Sequence, residues 1–292
     1  MHSERKIFVA FLLSAAFAAM KFLGGLATNS MMMLSDSVHG IGDVISIGLS
    51  YLLERKSKKS VDGEHTYGHV RYSVLGGAIT TVLLIITSVA ALVGAWHRLF
   101  EPEEVDYSGM ALVALAGVVI NLVAVLVTRG KGTLNQRSIN LHMLEDMLSW
   151  GVVLIGAIAI KFTDSSLIDP ILSIGVALFI LYNALKNLKR ILGIYLEKTP
   201  PNVDLNKIRR ELRNINGVHG VHHIHVRSLD GYTNYATLHV VVERYSQKTK
   251  QAIKQVLAEQ DIEHSTIELE LQGERCQDET CKTDLGHHHF HA

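Results

Sequence analysis

Charge is what this sequence has least of. Of 292 residues only 19% are Asp, Glu, Lys or Arg, against 48% that are hydrophobic, which excludes a purely soluble domain as the starting class. The 28 basic and 28 acidic side chains cancel, so no basic excess points to nucleic acid. Cysteine is nearly missing too. Cys276 and Cys281 are the two present, on the side read below as cytoplasmic, where disulfides are rare; they read as free thiols or weak metal ligands. No H-E-x-x-H occurs, and no A-x-A-like cleavage site follows the first apolar run, which reads as a retained helix and not a removed signal.

What is abundant is long apolar runs and histidine. Six runs reach the length of a membrane span, at 7–26, 31–53, 74–99, 110–128, 139–160 and 170–196. Basic residues collect in alternate connections: Arg5 and Lys6 before the first run, Arg55 to Arg71 after the second, Arg129 to Arg137 after the fourth. The opposite loops, "FEPEEVDY" and "FTDSSLID", are acidic. Because Lys and Arg stay on the cytoplasmic side, both termini are expected there.

Past the last run the composition changes. "EKTPPNVD" reads as a linker whose Asp204 caps the next helix, and the following stretch reads α-β-β-α-β: a small sheet with helices on one face. The expected division is a six-helix transmembrane domain over 1–198, a cytoplasmic α+β domain over 199–272 and a mobile Cys/His-containing tail over 273–292.

Sixteen histidines are present, and His39 and His142 sit well inside apolar runs, where an ionisable group is costly. His39 and Asp43 lie four apart, on one helical face; "NLHMLEDML" repeats the pattern with His142 and Asp146. If the two helices face each other, two imidazoles and two carboxylates match the tetrahedral N/O demand of Zn²⁺. Either pair alone also suits plain helix–helix hydrogen bonding; the repetition is what favours a shared cation. Asp36 sits on the same face, and Asn121 and Glu145 are candidate partners of the ligands. The loop "VDGEHTYGHVRYS" brings Asp62, His65 and His69 close in sequence. In the last domain His222, His223, His225, His239 and His264 lie on or beside expected strands, with Glu268 and Glu270 after them; alternation would put His222 on one face and His223 and His225 on the other.

Four motifs, "LSDSVHGIGD", "HTYGHVRYSVLGG", "LHMLED" and "DPILSIGVALFILYNA", with "GVHGVHHIHVRSLDG" and "ATLHVVVE" beyond them, make the chain resemble the cation diffusion facilitator family, the zinc/cadmium proton antiporters. The resemblance implies a membrane α-helical protein with six transmembrane helices and a small cytoplasmic αββαβ, metallochaperone-like domain. It implies a homodimer in the bilayer, read as a bacterial inner membrane, that is no enzyme but exports divalent metal in exchange for protons by alternating access. Zn²⁺ is then the transported substrate, with Cd²⁺ and Co²⁺ alongside, and a candidate regulatory ligand. It places the transport site at His39, Asp43, His142 and Asp146, a loop site at Asp62, His65 and His69, cytoplasmic ligands at His222, His239 and His264, and a charge interlock at Arg71 and Glu197. The chain departs from the family pattern at His223, where the family has Asp, and in spacing its cysteines C-x-x-x-x-C.

Two other classes remain beside it. An intramembrane metalloenzyme would need an open coordination position with an activated water, and a membrane-anchored sensor would not need the intramembrane ligands.

Overall fold

The structure is a computed structural model; it describes residues 3–28, 31–100, 107–130, 132–163 and 168–274. The tail assigned to 273–292 lies outside these from residue 275 onward. The chain divides into two compact units at Leu192/Gly193.

The first unit is helical: α1 (Ser3–Thr28), α2 (Met31–Ser57), α3 (Arg71–Phe100), α4 (Tyr107–Thr128), α5 (Leu134–Thr163) and α6 (Ile168–Tyr195), the last running across the unit boundary. Among the described residues, the segment Arg71–His97 of α3 is long and apolar enough to cross a membrane, and Leu115–Thr128 is a shorter apolar helix. α1 packs on α2 and α4, α4 on α5, and α3 on both α2 and α5. Ile7 and Ala10 of α1, Ile47 of α2, Ala124 of α4 and Ile139 and Met143 of α5 form one buried cluster. Leu84 of α3 joins Ile180 and Ala184 of α6 in another. Small residues set the closest approaches, as expected where helices associate by packing and hydrogen bonding without a hydrophobic drive. A Cβ on Gly77 of α3 would stand 3.0 Å from the Asn135 backbone nitrogen of α5.

The second unit is α7 (Leu205–Arg213), β1 (Val218–Ser228), β2 (Asn234–Val242), α8 (Gln247–Glu259) and β3 (Ile262–Leu271). Asp204 caps α7 by accepting from the amides of Asn206 and Lys207, and Ser246 caps α8 through Thr249. β1 and β2 pair antiparallel; α8 then carries the chain back so that β3 adds parallel to β2. The core lies between sheet and helices: Ile208 and Leu212 of α7 and Ile253 and Leu257 of α8 pack on Val221, Val226, Leu238 and Val240.

β1 is not regular. Its register with β2 shifts between His222 and His225, and His223 takes a left-handed φ of 49°, rare for a residue with a Cβ. The bulge cancels the strict alternation expected from sequence, and the rings of His222 and His223 both approach His239, at 5.3 and 5.0 Å.

Candidate metal centres

Among the described residues three groups of side chains bring His and carboxylate donor atoms within 4.8 Å of one another: Asp43, His142 and Asp146; Asp62, His65 and His69; and His222, His239 and Glu270.

The first group lies within the helical unit, where α2 meets α5. One turn of α5 separates His142 from Asp146, so both present to the same side, and α2 supplies Asp43. His142 is 7% exposed. Its Nε2 is 3.5 Å from Asp43 Oδ1 without hydrogen-bond geometry, so a buried imidazole nitrogen is left without a hydrogen bond between carboxylates. Such an atom is costly unless something takes its lone pair or its proton. His39 lies one turn before Asp43 on α2; its side chain, like that of Asp36, lies outside those described. Of the candidate partners, Asn121 donates to Gly117 O of its own helix at 3.1 Å, and Glu145 Oε1 accepts from Ser88 of α3 at 3.3 Å while its Oε2 is buried without a hydrogen bond.

The loop group is built by one carboxylate. Asp62 Oδ1 accepts from the amides of Glu64 at 3.0 Å and His65 at 2.7 Å, an Asx-type turn. The His65 ring nitrogen Nδ1 lies 3.2 Å from the same oxygen, and His69 Nε2 lies 3.4 Å from Oδ2. Gly68, at φ 76°, lets the turn close so that the two imidazoles stack at 4.1 Å. The amide of His65 holds the Asp62 carboxyl below its ordinary value. A depressed carboxylate keeps its contribution above the unfolded value and loses it only as pH falls through the folded one. A histidine binds metal only when neutral and a carboxylate only when ionised. Asp62→Asn should weaken Zn²⁺ at the loop by more than about tenfold, and isothermal titration should show binding at the other groups unchanged.

In the second unit Glu270, 9% exposed, joins two histidines: its Oε1 is 2.6 Å from His239 Nδ1 and its Oε2 3.2 Å from His222 Nε2. Glu268 reaches the other nitrogen of His239 at 3.3 Å. His264 stands apart from this group, opposite Tyr235 in the sheet with the rings 5.0 Å apart. Sequence reading named His222 and His239 but gave the third place to His264. The parallel register that sets His239 opposite Glu268 is the signal that points to Glu268 and Glu270 instead. Glu197 accepts from Arg227 at 2.7 Å inside this unit, and Arg71 is the first residue of α3 in the other.

Two family descriptions match the chain: the cation efflux transmembrane domain over residues 7–194 and the cation efflux protein cytoplasmic domain over 200–271. The metal cation efflux system protein CzcD of Cupriavidus metallidurans is 29% identical over 275 residues, covering 92% of this chain and 87% of that protein. The cadmium, cobalt and zinc/H(+)-K(+) antiporter of Bacillus subtilis is 28% identical over 302 residues, covering 98% and 97%. The zinc transporter ZitB of Pectobacterium atrosepticum is 30% identical over 301 residues, covering 99% and 91%.

Proposed function

The chain belongs to the cation efflux family, integral membrane transporters and not enzymes, and we propose that it exports divalent transition metal, Zn²⁺ first and Cd²⁺ and Co²⁺ with it, in exchange for protons. The observation that carries this reading is the group of Asp43, His142 and Asp146 inside the helical unit, in which the buried His142 presents an imidazole nitrogen among half-buried carboxylates. His39, one turn before Asp43, is the fourth ligand of the same site. The zinc, cadmium and cobalt in the relatives' names support the choice of metals.

Carboxylates bind metal when ionised and histidine when neutral, so protons and metal compete for the same donors. With the site open to the acidic outer side, protons displace the metal; open to the cytoplasm, the donors shed protons and reload. One site rocking between two faces is enough for antiport. The six helices α1 to α6 are the six spans, both termini lie in the cytoplasm as the Lys/Arg distribution requires, and the protein sits in a bacterial inner membrane. The transmembrane domain is 1–198, the cytoplasmic domain 199–272 and the tail 273–292. The cytoplasmic domains of two copies pair into a homodimer, and the loop and sheet groups bind Zn²⁺ as a regulatory ligand.

Reconstitution into vesicles with an acidic interior tests the central claim. Zn²⁺ should accumulate, and collapsing the pH gradient should lower the flux by at least about tenfold. Flux indifferent to the gradient would overturn proton coupling.

A further inference from the structure

Below the metal group, towards the end of the bundle that carries the α2–α3 loop, α2, α3, α5 and α6 meet along a buried seam of hydroxyls and amides that ends in one carboxylate. On α2, Ser50 and Glu54 continue the face of Asp43 at intervals of seven and four residues; on α5, Ser138 and Asn135 precede His142. Ser50 and Thr80 hydroxyls are 2.6 Å apart, and Thr81 and Ser138 2.9 Å apart. Asn187 of α6 donates to both Thr81 and Ser138 at 2.9 Å, and Asn135 donates to Ser50 O at 2.8 Å. Glu54 closes the row. Its Oε2 accepts from Ser73 of α3 at 2.6 Å and from Thr133 at 3.1 Å, and Asn135 Nδ2 stands 3.4 Å away.

Two features exceed what helix packing needs. Glu54 is 1% exposed, yet the three groups it faces are neutral. Ser, Thr and Asn alone hold the neighbouring layers together, so packing does not by itself call for a carboxylate, whose burial carries a desolvation cost. In addition, Asn135 Oδ1 and Asn187 Oδ1 are buried acceptors with no hydrogen bond in the closed seam. Carboxylate, carbonyl and hydroxyl oxygens in file, some without a partner, are what a hydrated cation needs as it sheds water.

We propose that this seam is the access route from the α2–α3 loop end to the Asp43, His142 and Asp146 group, shut in this structure, and that Glu54 is the residue that receives the cation as it enters. The inference rests on the transport function proposed above. When α3 and α6 part from α2 and α5, the hydrogen bonds between Ser50 and Thr80 and among Thr81, Ser138 and Asn187 break. The same oxygens then line the opening, with Glu54 at its mouth and Asp43 at its end.

The test uses the full chain in vesicles, with Cys276→Ser and Cys281→Ser as background and Ser50→Cys or Thr80→Cys added singly. A membrane-impermeant cationic thiol reagent applied on the α2–α3 loop side should label both positions at least about fivefold faster during Zn²⁺ transport than without substrate. Glu54→Gln should raise the half-saturating Zn²⁺ concentration on that side by about tenfold and blunt its dependence on ionic strength. Glu54→Asp should recover most of the affinity, which a purely cohesive role would not predict. Cysteines that stay unlabelled in variants transporting at the parental rate would overturn the route, and an unchanged half-saturating concentration in Glu54→Gln would overturn its carboxylate. A parent that moves no Zn²⁺ would remove the transport reading first, and this inference with it.

Discussion

Asp43→Ala and His142→Ala should each lower Zn²⁺ flux by about a hundredfold or more while the protein stays folded. Each removes one donor of a group whose atoms lie within 4.8 Å of one another, and the two come from different helices, α2 and α5. Loss of Asp43 takes away negative charge that offsets the metal's. Loss of His142 takes away the nitrogen that distinguishes a site for Zn²⁺ from an all-oxygen site for Mg²⁺ or Ca²⁺. Asp43→Asn sharpens the test, since the amide keeps shape and hydrogen-bonding capacity and loses only charge. If the group were a packing device, Asn would preserve flux and Ala would lower the melting temperature. If it is a transport site, Asn fails as Ala does, and the melting temperature stays near the parental value. Isothermal titration of the same variants separates loss of binding from loss of movement.

The group of Asp43, His142 and Asp146 was half legible in the sequence. Two residues four apart on one helix share a face whatever the tertiary structure, so His142 with Asp146 follows from spacing alone. That Asp43 meets them depends on α2 lying against α5, which no local pattern carries. The helix ends were less legible, for a physical reason. The expected second span stopped at residue 53 and the fifth began at 139, because hydropathy falls where polar residues begin. The helices run on, α2 to Ser57 and α5 from Leu134, because those polar residues hydrogen-bond to each other inside the bundle. Glu54 was lost in this way. In "YLLERKSKK" it reads as the first residue of a charged loop, yet it is among the most buried side chains of α2.

The sheet group taught the opposite lesson. Its histidines were visible, but the third partner depended on the parallel register between β2 and β3. His264 and Glu270 are six apart on β3 and share a face, so alternation alone could not choose between them; the register does, setting His264 opposite Tyr235 and Glu268 opposite His239.

Gly77→Ala should cost about 1 to 3 kcal/mol, and Gly77→Val should leave little folded protein. A Cβ at Gly77 would lie 3.0 Å from Asn135 N, 3.1 Å from Asn135 Cα and 3.1 Å from the Leu134 carbonyl carbon, all backbone of α5. No rotamer change relieves such a contact; α3 and α5 must separate. Separation stretches the bond from the Ser138 hydroxyl to Gly77 O, 3.0 Å here, and with it the link from Thr81 to Ser138. Gly76, one residue earlier, is a milder case: its Cβ would meet the Asn135 side chain, at 2.9 Å from Nδ2, and an amide can turn away. Gly94 on the same helix and Gly151 on α5 have nothing within 4 Å of an added Cβ. Their Ala variants should melt at or above the parental temperature, since Ala restricts the unfolded chain. The comparison therefore isolates contact from helix propensity. A Gly77→Ala protein as stable as Gly94→Ala would mean that α3 and α5 do not touch at this level. The hydroxyl and amide seam would then be open and not shut, and Glu54 would face water instead of Ser73.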